Sequence, residues 1–272
     1  MDILTKYKNK FKELVQGYDY DETNFDGRLC PDQFVGKICE LGKICEPYQR
    51  KKYYIRLKKN NIFDYSQEEL QINGELDLPD NILLLILESP HIAEFFFQKS
   101  KKVFGNHRKN PAPAMGKYHR DTGYNIVSPL GNTFFTYTES IKKRHLILFN
   151  AIPFQCSLGV DTGTFRDKVF TEAWKNELIG QNFFKERLEF LLKKLKGKDV
   201  VIVNACTKDK EEKKKNKDDK ENKGRKHSVT DSIIYVIEKY KPQKTELWEA
   251  PHPSSLWWFV EKCWKRVYPT RS

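Results

Sequence analysis

Four short apolar runs constrain the fold of this chain more than any other feature of its sequence. They occupy residues 82–87, 146–149, 200–203 and, more briefly, 247–248. Strands that are apolar at successive rather than alternate positions are buried on both faces, as in a parallel sheet covered by helices. Helical periodicity lies between the runs, at 183–195 and 229–240. The sequence therefore predicts a three-layer αβα fold, of the α/β class, with a central four-stranded parallel sheet between two layers of helices.

The first 80 residues follow a different pattern, which divides the chain into two predicted parts. Apolar side chains recur at helical spacing from Ile3 to Val15, and this spacing predicts an amphipathic helix. A second, very basic helix is predicted at 49–60. We therefore expect an N-terminal, mostly helical extension at 1–80 and an α/β domain at 81–272.

The net charge indicates which class of partner to expect. The chain carries a formal charge of +12, and an excess of this size attracts polyanions, DNA among them. A generally lysine-rich composition is the alternative explanation. Residues 207–227 hold ten Lys/Arg and six Asp/Glu, a net of +4, which leaves +8 on the remainder. That stretch cannot build a core, so we predict a solvated loop insert there and a last helix at 256–267.

The cysteine pattern and the hydropathy bear on compartment and cofactors. The six cysteines show neither C-x-x-C nor Cys/His metal spacing, which predicts free thiols, a reducing cytoplasmic compartment and no metal or other cofactor. Charges lie within a few residues of the N-terminus, so no signal peptide is expected. No apolar run reaches membrane-spanning length, so no membrane partner is expected.

Candidate functional side chains follow the predicted strands, because ligands of open parallel sheets bind beyond the carboxyl ends of the strands. Glu88 follows the first run, Asn150 the second, and His252 follows the fourth between two prolines. Each has a plain structural alternative. Glu88 and Ser89 could cap the next helix, and Asn150 could serve a turn. The serine pair after His252 could cap the last helix or hold a phosphate at its N-terminus.

In this order, the motifs resemble the uracil-DNA glycosylase superfamily over about residues 81–268. The segment Leu87-Glu88-Ser89-Pro90-His91 is similar to the first motif of the family, in its Gly-Glu-x-Pro-Gly form. The segment His252-Pro253-Ser254-Ser255-Leu256 is similar to the His-Pro-Ser-Pro-Leu motif. Between them, Pro129-Leu130-Gly131-Asn132 is similar to the Pro-Phe-x-Gly segment that supplies a base-stacking ring.

The resemblance implies a DNA glycosylase that flips out uracil or a modified base and hydrolyses its N-glycosidic bond, in repair or in anti-phage defence. Glu88 would stabilise the sugar cation and position water, while His252 would donate to the departing base. The implied base-recognition residues are Asn150, Leu130, Phe134 and His91. The implied DNA-binding residues are Ser89, Pro90, Ser254, Ser255 and Leu256, the last as a wedge.

Several positions depart from the family pattern. Leu87 and His91 stand where the family has glycines, and Leu130 stands where it has the stacking Phe, a role that falls instead to Phe134 or Phe135. The paired cysteines that precede the first motif in cluster-bearing branches are missing, so no iron–sulfur cluster is expected. The main alternative is a non-catalytic module that binds DNA or a modified nucleotide. A metal nuclease would need clustered carboxylates at the strand ends, and a serine hydrolase would need a G-x-S-x-G motif. The sequence shows neither feature, which counts against both classes of enzyme.

Overall fold

A seven-stranded mixed sheet forms the centre of the protein. The computed structural model describes residues 2–18, 25–38, 60–74, 76–100, 103–114, 122–127, 143–157, 166–207, 225–240, 244–255, 258 and 261–268. The strands are β1 (Gln33–Lys37), β2 (Asn60–Asn61), β3 (Phe63–Asp64), β4 (Gln71–Ile72), β5 (Asn81–Leu87), β6 (Phe96–Ser100), β7 (Val103–His107), β8 (His145–Asn150), β9 (Asp199–Asn204), β10 (Lys244–Glu249) and β11 (Lys265–Tyr268). The helices are α1 (Ile3–Val15), α2 (Ile92–Phe95), α3 (Thr122–Val127), α4 (Asp167–Lys175), α5 (Gln181–Lys194) and α6 (Arg225–Tyr240).

The four predicted strands are present as β5, β8, β9 and β10, which run parallel to one another. Successive side chains of β5, from Ile82 to Leu87, enter the cores on opposite faces of the sheet. The α/β class is therefore confirmed. The sheet is wider than predicted, with the order β11-β10-β9-β5-β8-β1-β2, because antiparallel strands extend both edges.

Helices cover one face of this sheet. Buried side chains of α1, α4, α5 and α6 form a single core with that face, and the helices predicted at 183–195 and 229–240 are confirmed as α5 and α6. On the other face the described cover consists of Ile126 of α3 together with Ala114, Trp258 and Trp264. Within the described ranges, no helix has both the length and the apolar character that crossing a bilayer requires.

The described residues of 1–80 are not mostly helical, which corrects the prediction. The helix α1 is present as expected, but β1 and β2 extend the main sheet, and β3 and β4 form a small hairpin. A bulge in β1 contains Gly36 with φ of +125°, a conformation that L side chains rarely adopt. Apart from Asn60, which begins β2, the helix predicted at 49–60 lies outside the described residues.

The prediction of a last helix at 256–267 is also wrong for the part of that segment that the structure describes. A 3₁₀ turn at Glu261–Cys263 leads into β11, which pairs antiparallel with β10. The rings of Trp258 and Trp264 lie 4.6 Å apart and are buried against the sheet. Pairing with the open edge of β10 makes residues 265–268 a strand rather than the predicted helix.

The strand order creates a crevice at the carboxyl edge of the sheet. From β5 the chain passes to β8 on one side, and it later enters β9 on the other side of β5. Loops therefore leave in opposite directions at β5 and β9, the arrangement at which open α/β sheets bind their ligands. The residues after β5, β8, β9 and β10 lie at this edge.

Candidate functional site

Glu88 lies at this crevice, directly after β5, and is buried. Its Oε2 accepts hydrogen bonds from the backbone N–H of Thr207, at 3.3 Å, and from the Thr207 hydroxyl. Because Thr207 follows β9, the two strand ends that flank the crevice are joined here. Nε of Arg166, the residue before α4, lies 3.6 Å from Oε1 of Glu88. The carboxylate predicted from sequence is thus held by two residues that were not predicted.

Asn150 ends β8 and is 1% exposed. It pairs with Leu87, and the N–H of Ile152 donates to the carbonyl of Glu88 at 3.0 Å, so Asn150 and Glu88 lie on neighbouring strand ends. Among the residues that the structure describes, neither Oδ1 nor Nδ2 of Asn150 has a hydrogen-bond partner. A buried polar group in this state costs about 1–3 kcal/mol.

Asn204 shows what a purely structural asparagine looks like at the end of β9. Its Nδ2 donates to the carbonyl of Lys226 at 3.0 Å and to the hydroxyl of Thr230 at 2.9 Å. Its Oδ1 accepts from the N–H of Cys206 at 3.1 Å. The turn role considered for Asn150 is therefore performed by Asn204 on the next strand but one. The Asn150 amide keeps a donor and an acceptor that the described fold does not use.

A fully buried ion pair holds the backbone of Asn150 from beneath. Oδ1 of Asp32 accepts from the Asn150 N–H at 3.0 Å, and Arg187 of α5 donates to the carbonyls of Asn150 and Ala151 at 2.7 and 3.0 Å. Arg187 and Asp32 meet at 2.5 Å, and the guanidinium also covers the ring of Phe149. Burial raises the pKa of Asp32, an effect opposed by Arg187 and the Asn150 N–H. The backbone that carries the unpaired amide is therefore held in place.

His252 follows β10 in a stiff Pro-His-Pro segment and is partly exposed. Its Nδ1 accepts from the backbone N–H of Ser254 at 3.2 Å and lies 2.8 Å from the Ser254 hydroxyl. A ring nitrogen that accepts from an N–H carries no proton, so the neutral imidazole carries its proton on Nε2. Asn125 of α3 donates to the carbonyl of Pro253 at 2.5 Å, which holds the segment in place.

Both histidines at the crevice are held neutral at physiological pH. Desolvation, followed by the charges of Arg166, Lys226 and His91, lowers the pKa of His252 to about 3. Desolvation, followed by Arg166, lowers the pKa of His91 to about 4. His91 is exposed and His252 is partly exposed at the surface, so the lowering of the pKa is better supported for His252, which also lies near the charges of Arg166 and Lys226. His252 therefore presents an uncharged N–H donor beside two cationic side chains.

Lys226 ties two strand ends together at the same place. It lies in the first turn of α6, is 4% exposed, and donates from Nζ to the carbonyls of Cys206, at 3.2 Å, and of Ala250. These carbonyls follow β9 and β10, and Ala250 is two residues before His252. Lys226 falls within the stretch 207–227, where a solvated insert was predicted. That prediction is wrong at its C-terminal end, because 225–227 belong to α6, while residues 208–224 lie outside the described part.

His91 caps the short helix α2. Its Nδ1 accepts from the N–H of Ala93 at 3.2 Å, and the carboxylate of Glu94 accepts from the N–H of His91. The helix cap considered for Glu88 and Ser89 is thus supplied by His91. Its predicted contact with a base can involve only the edge of the ring that is not engaged in capping.

The remaining predicted residues are placed less favourably for DNA contact. Pro90 is buried beneath the surface, whereas Ser89 is partly exposed. Ser254 is exposed, and the N–H of Ser255 donates to the carbonyl of His252 at 2.8 Å within a turn. The described residues that follow, 258 and 261–268, contain no α-helix, so phosphate binding at a helix N-terminus has no support in that part of the chain. Leu130, Phe134 and Leu256 lie outside the described residues.

Sequence reasoning missed Arg166, Thr207 and Lys226. Thr207 lies four residues after the end of the apolar run 200–203, so the rule that found Glu88 and Asn150 reaches it only when more than the first residue after each run is considered. Arg166 and Lys226 lie at the starts of helices, and only the packing of α4 and α6 against the sheet brings them to the crevice. No local pattern distinguishes them from the other basic residues of the chain.

The lowered histidine pKa values predict a pH-dependent stability. As the pH falls below about 6.5, the unfolded chain takes up protons that the folded protein excludes until about pH 3–4. The stability that the neutral histidines contribute is thus fully present above about pH 6.5 and is lost as the pH falls from there to about pH 3–4. We expect urea unfolding to show a lower free energy at pH 5 than at pH 7, and His252→Gln to reduce this difference. An unchanged difference would contradict the assignment.

Nothing among the described residues indicates a metal centre or a known relative. In that part of the chain, no three His, Cys, Asp or Glu side chains are grouped so that they could hold one metal ion. Comparison with protein families, with curated proteins and with solved structures found no match.

Proposed function

We propose that this protein is a DNA glycosylase that excises uracil or a modified base and leaves an abasic site. One observation carries the proposal: the buried amide of Asn150, whose donor and acceptor are both unused among the described residues, lies at the ligand-binding edge of the sheet, on the strand end next to that of Glu88. Such an amide suits a ligand that presents an acceptor and a donor side by side, as the edge of a nucleobase does.

The unpaired amide accounts for selection of a base. Its two polar atoms lie below the surface, so a base must leave its stack and displace the side chains above them to reach it. Pairing with the base edge then relieves the cost of two buried, unsatisfied groups. A ligand without a matching edge restores neither bond, so it is rejected.

His252 is suited to stabilise the leaving base. Cleavage of an N-glycosidic bond places negative charge on the base and positive charge on the sugar. The neutral Nε2–H of His252 can donate a hydrogen bond to a carbonyl oxygen of the base as that charge develops, and the ring does not have to be protonated first. Arg166 and Lys226 add positive charge at the same crevice. All three groups favour the anionic leaving group over the neutral base.

Glu88 is suited to the positive half of the transition state. The sugar becomes oxocarbenium-like, as in glycoside hydrolysis, and a fixed carboxylate stabilises it and orients the attacking water. Hydrogen bonds from Thr207 fix the Glu88 carboxylate, so it needs no reorganisation during the reaction. This assignment needs no metal.

A second function, binding without catalysis, is favoured by one contact. Arg166 lies 3.6 Å from the Glu88 carboxylate and compensates part of its charge. A compensated carboxylate stabilises a sugar cation less strongly, whereas Arg166 itself suits a phosphate. On this alternative the protein holds a modified nucleotide or DNA in the crevice and leaves the glycosidic bond intact.

A base-release assay separates the two functions. The protein is incubated with single- and double-stranded oligonucleotides that carry uracil, deaminated purines or bulky modified pyrimidines, and alkali then cleaves any abasic site. Strand breaks that require alkali and appear with only some of these bases support the glycosylase. DNA binding without abasic sites on any substrate would reject it in favour of the binding module.

The two asparagines allow a matched test of the Asn150 assignment. Asn150→Leu removes two unsatisfied polar groups and is expected to leave the free energy of unfolding unchanged or higher, while kcat/KM for base release falls by about 5- to 150-fold. Asn204→Leu orphans the partners of its amide and is expected to lower the free energy of unfolding by about 1–3 kcal/mol. Urea unfolding and base-release kinetics measure both. A loss of stability in Asn150→Leu equal to that in Asn204→Leu would show that Asn150 is structural.

A further inference from the structure

The hairpin formed by β6 and β7 is built onto the segment that follows Glu88. Its strands pair only with each other, and β6 begins eight residues after Glu88, directly after α2. A free two-stranded hairpin is marginally stable in water, so its persistence requires contacts with the domain. Those contacts lie at its base.

Arg108 fixes the returning end of the hairpin to α2. Its backbone N–H donates to the carbonyl of Phe95 at 2.6 Å, and its Nε donates to the carbonyl of Ala93 at 3.0 Å. Phe96 is 2% exposed and packs with Ile92 and Phe95 in a small core. The base of the hairpin is therefore rigid.

Arg28 reinforces the same end from another segment. Its guanidinium donates to the carbonyls of Arg108 and Lys109 at 2.7 and 3.1 Å, and it forms an ion pair with Asp26 at 2.7 Å. His107 also contacts Asp26, at 2.9 Å. Arg28, Arg108 and Lys109 thus bring three basic residues to this end of the hairpin, where Asp26 pairs with Arg28.

Phe97 stands out on this rigid base. Strand alternation directs it away from the buried Phe96, and it is 53% exposed. The guanidinium carbon of Arg108 lies 4.7 Å from the centre of its ring. Among the described residues, only Phe97 and Tyr235 are large apolar side chains exposed to this degree. An exposed ring on a fixed support, next to cations, is the combination on which unpaired bases of single-stranded nucleic acid stack.

We propose that Phe97 and Arg108 form a stacking platform for an unpaired base of single-stranded DNA that flanks the nucleotide held in the crevice. The proposal rests on the proposed function only for the identity of the nucleic acid as DNA. The ring supplies a sequence-tolerant surface, and the surrounding cations neutralise backbone phosphates. A protein partner is less well matched, because one ring among charges makes no contiguous apolar patch.

Binding of a fluorescein-labelled oligothymidylate, which contains no excisable base, tests the platform by fluorescence anisotropy. Phe97→Ala is expected to weaken binding by about 5- to 100-fold, and Phe97→Trp to retain it. The matched control is Tyr235→Ala, which removes a ring that is 54% exposed and has Lys185 4.9 Å from its centre, but lies on α6. This control is expected to bind like the wild type.

Several results would overturn the platform. One is that the wild type does not bind the oligothymidylate, and another is that Phe97→Ala binds it with the affinity of the wild type. A third is that Phe97→Ala loses as much affinity for a fully paired duplex as for the single strand. Failure of the proposed function looks different. It would appear as no base release on any substrate, while binding of the oligothymidylate still depended on Phe97.

Discussion

Replacing Glu88 by glutamine is expected to lower the rate of base release by about 10²–10³-fold, the typical value of one preorganised group that faces transition-state charge. The substitution keeps the size and one hydrogen-bonding oxygen of the side chain but removes its negative charge. Thr207 can still donate to the remaining oxygen, so the crevice keeps its shape. The oxocarbenium-like sugar loses its counter-charge, and single-turnover release of the base measures the effect.

Two measurements keep this result specific. Glu246→Gln removes another carboxylate, which lies away from the crevice and contacts Arg266 at 2.8 Å. This variant is expected to release the base at the wild-type rate. DNA affinity of Glu88→Gln is expected to match or exceed that of the wild type, because the freed Arg166 can contact a phosphate. Full base release by Glu88→Gln would remove Glu88 from the mechanism.

Replacing Asp32 by asparagine is expected to lower the free energy of unfolding by about 3–5 kcal/mol, because it leaves the buried guanidinium of Arg187 without a counter-ion. Both side chains are fully buried, so water cannot solvate the remaining charge. The substitution also disturbs the hydrogen bond that the N–H of Asn150 donates to Oδ1 of Asp32. Chemical denaturation measures the stability, and base release measures the second effect.

Two comparisons separate charge from packing. Lys10→Gln breaks the exposed Lys10–Glu13 pair and is expected to change stability little. The double variant Asp32→Asn with Arg187→Met removes the stranded charge and is expected to recover part of the lost stability. Equal losses in the single and double variants would assign the effect to packing around α5.

The parallel centre of the sheet could be predicted from sequence because its information is local. Strands such as β5 and β9 are apolar at every position from Ile82 to Leu87 and from Val200 to Val203, which only burial on both faces explains. The helices α5 and α6 follow from periodicity within one segment. In a parallel sheet, the residues that follow the strands meet at one edge. This rule predicts that Glu88 and Asn150 lie close together, and the two residues do lie on neighbouring strand ends.

The edge strands and half of the crevice could not be predicted because their information is distant in sequence. β1 contains Gln33, Gly36 and Lys37 and becomes a strand by pairing with β8. β11 replaces a predicted helix because β10 offers an open edge. Arg166 and Lys226 come from the starts of helices whose own sequence carries no sign of their contacts at the crevice. Long-range pairing decides all of these placements.

The pairing of β1 with β8 has a consequence for synthesis on the ribosome. Asp32 precedes its partner Arg187 by 155 residues. At roughly 5–20 residues per second, Asp32 is synthesised about 8–30 s before Arg187. Until β8 has been made, β1 lacks its pairing with that strand, and until Arg187 has been made, Asp32 lacks its counter-charge, so both acquire these native contacts only after a long delay.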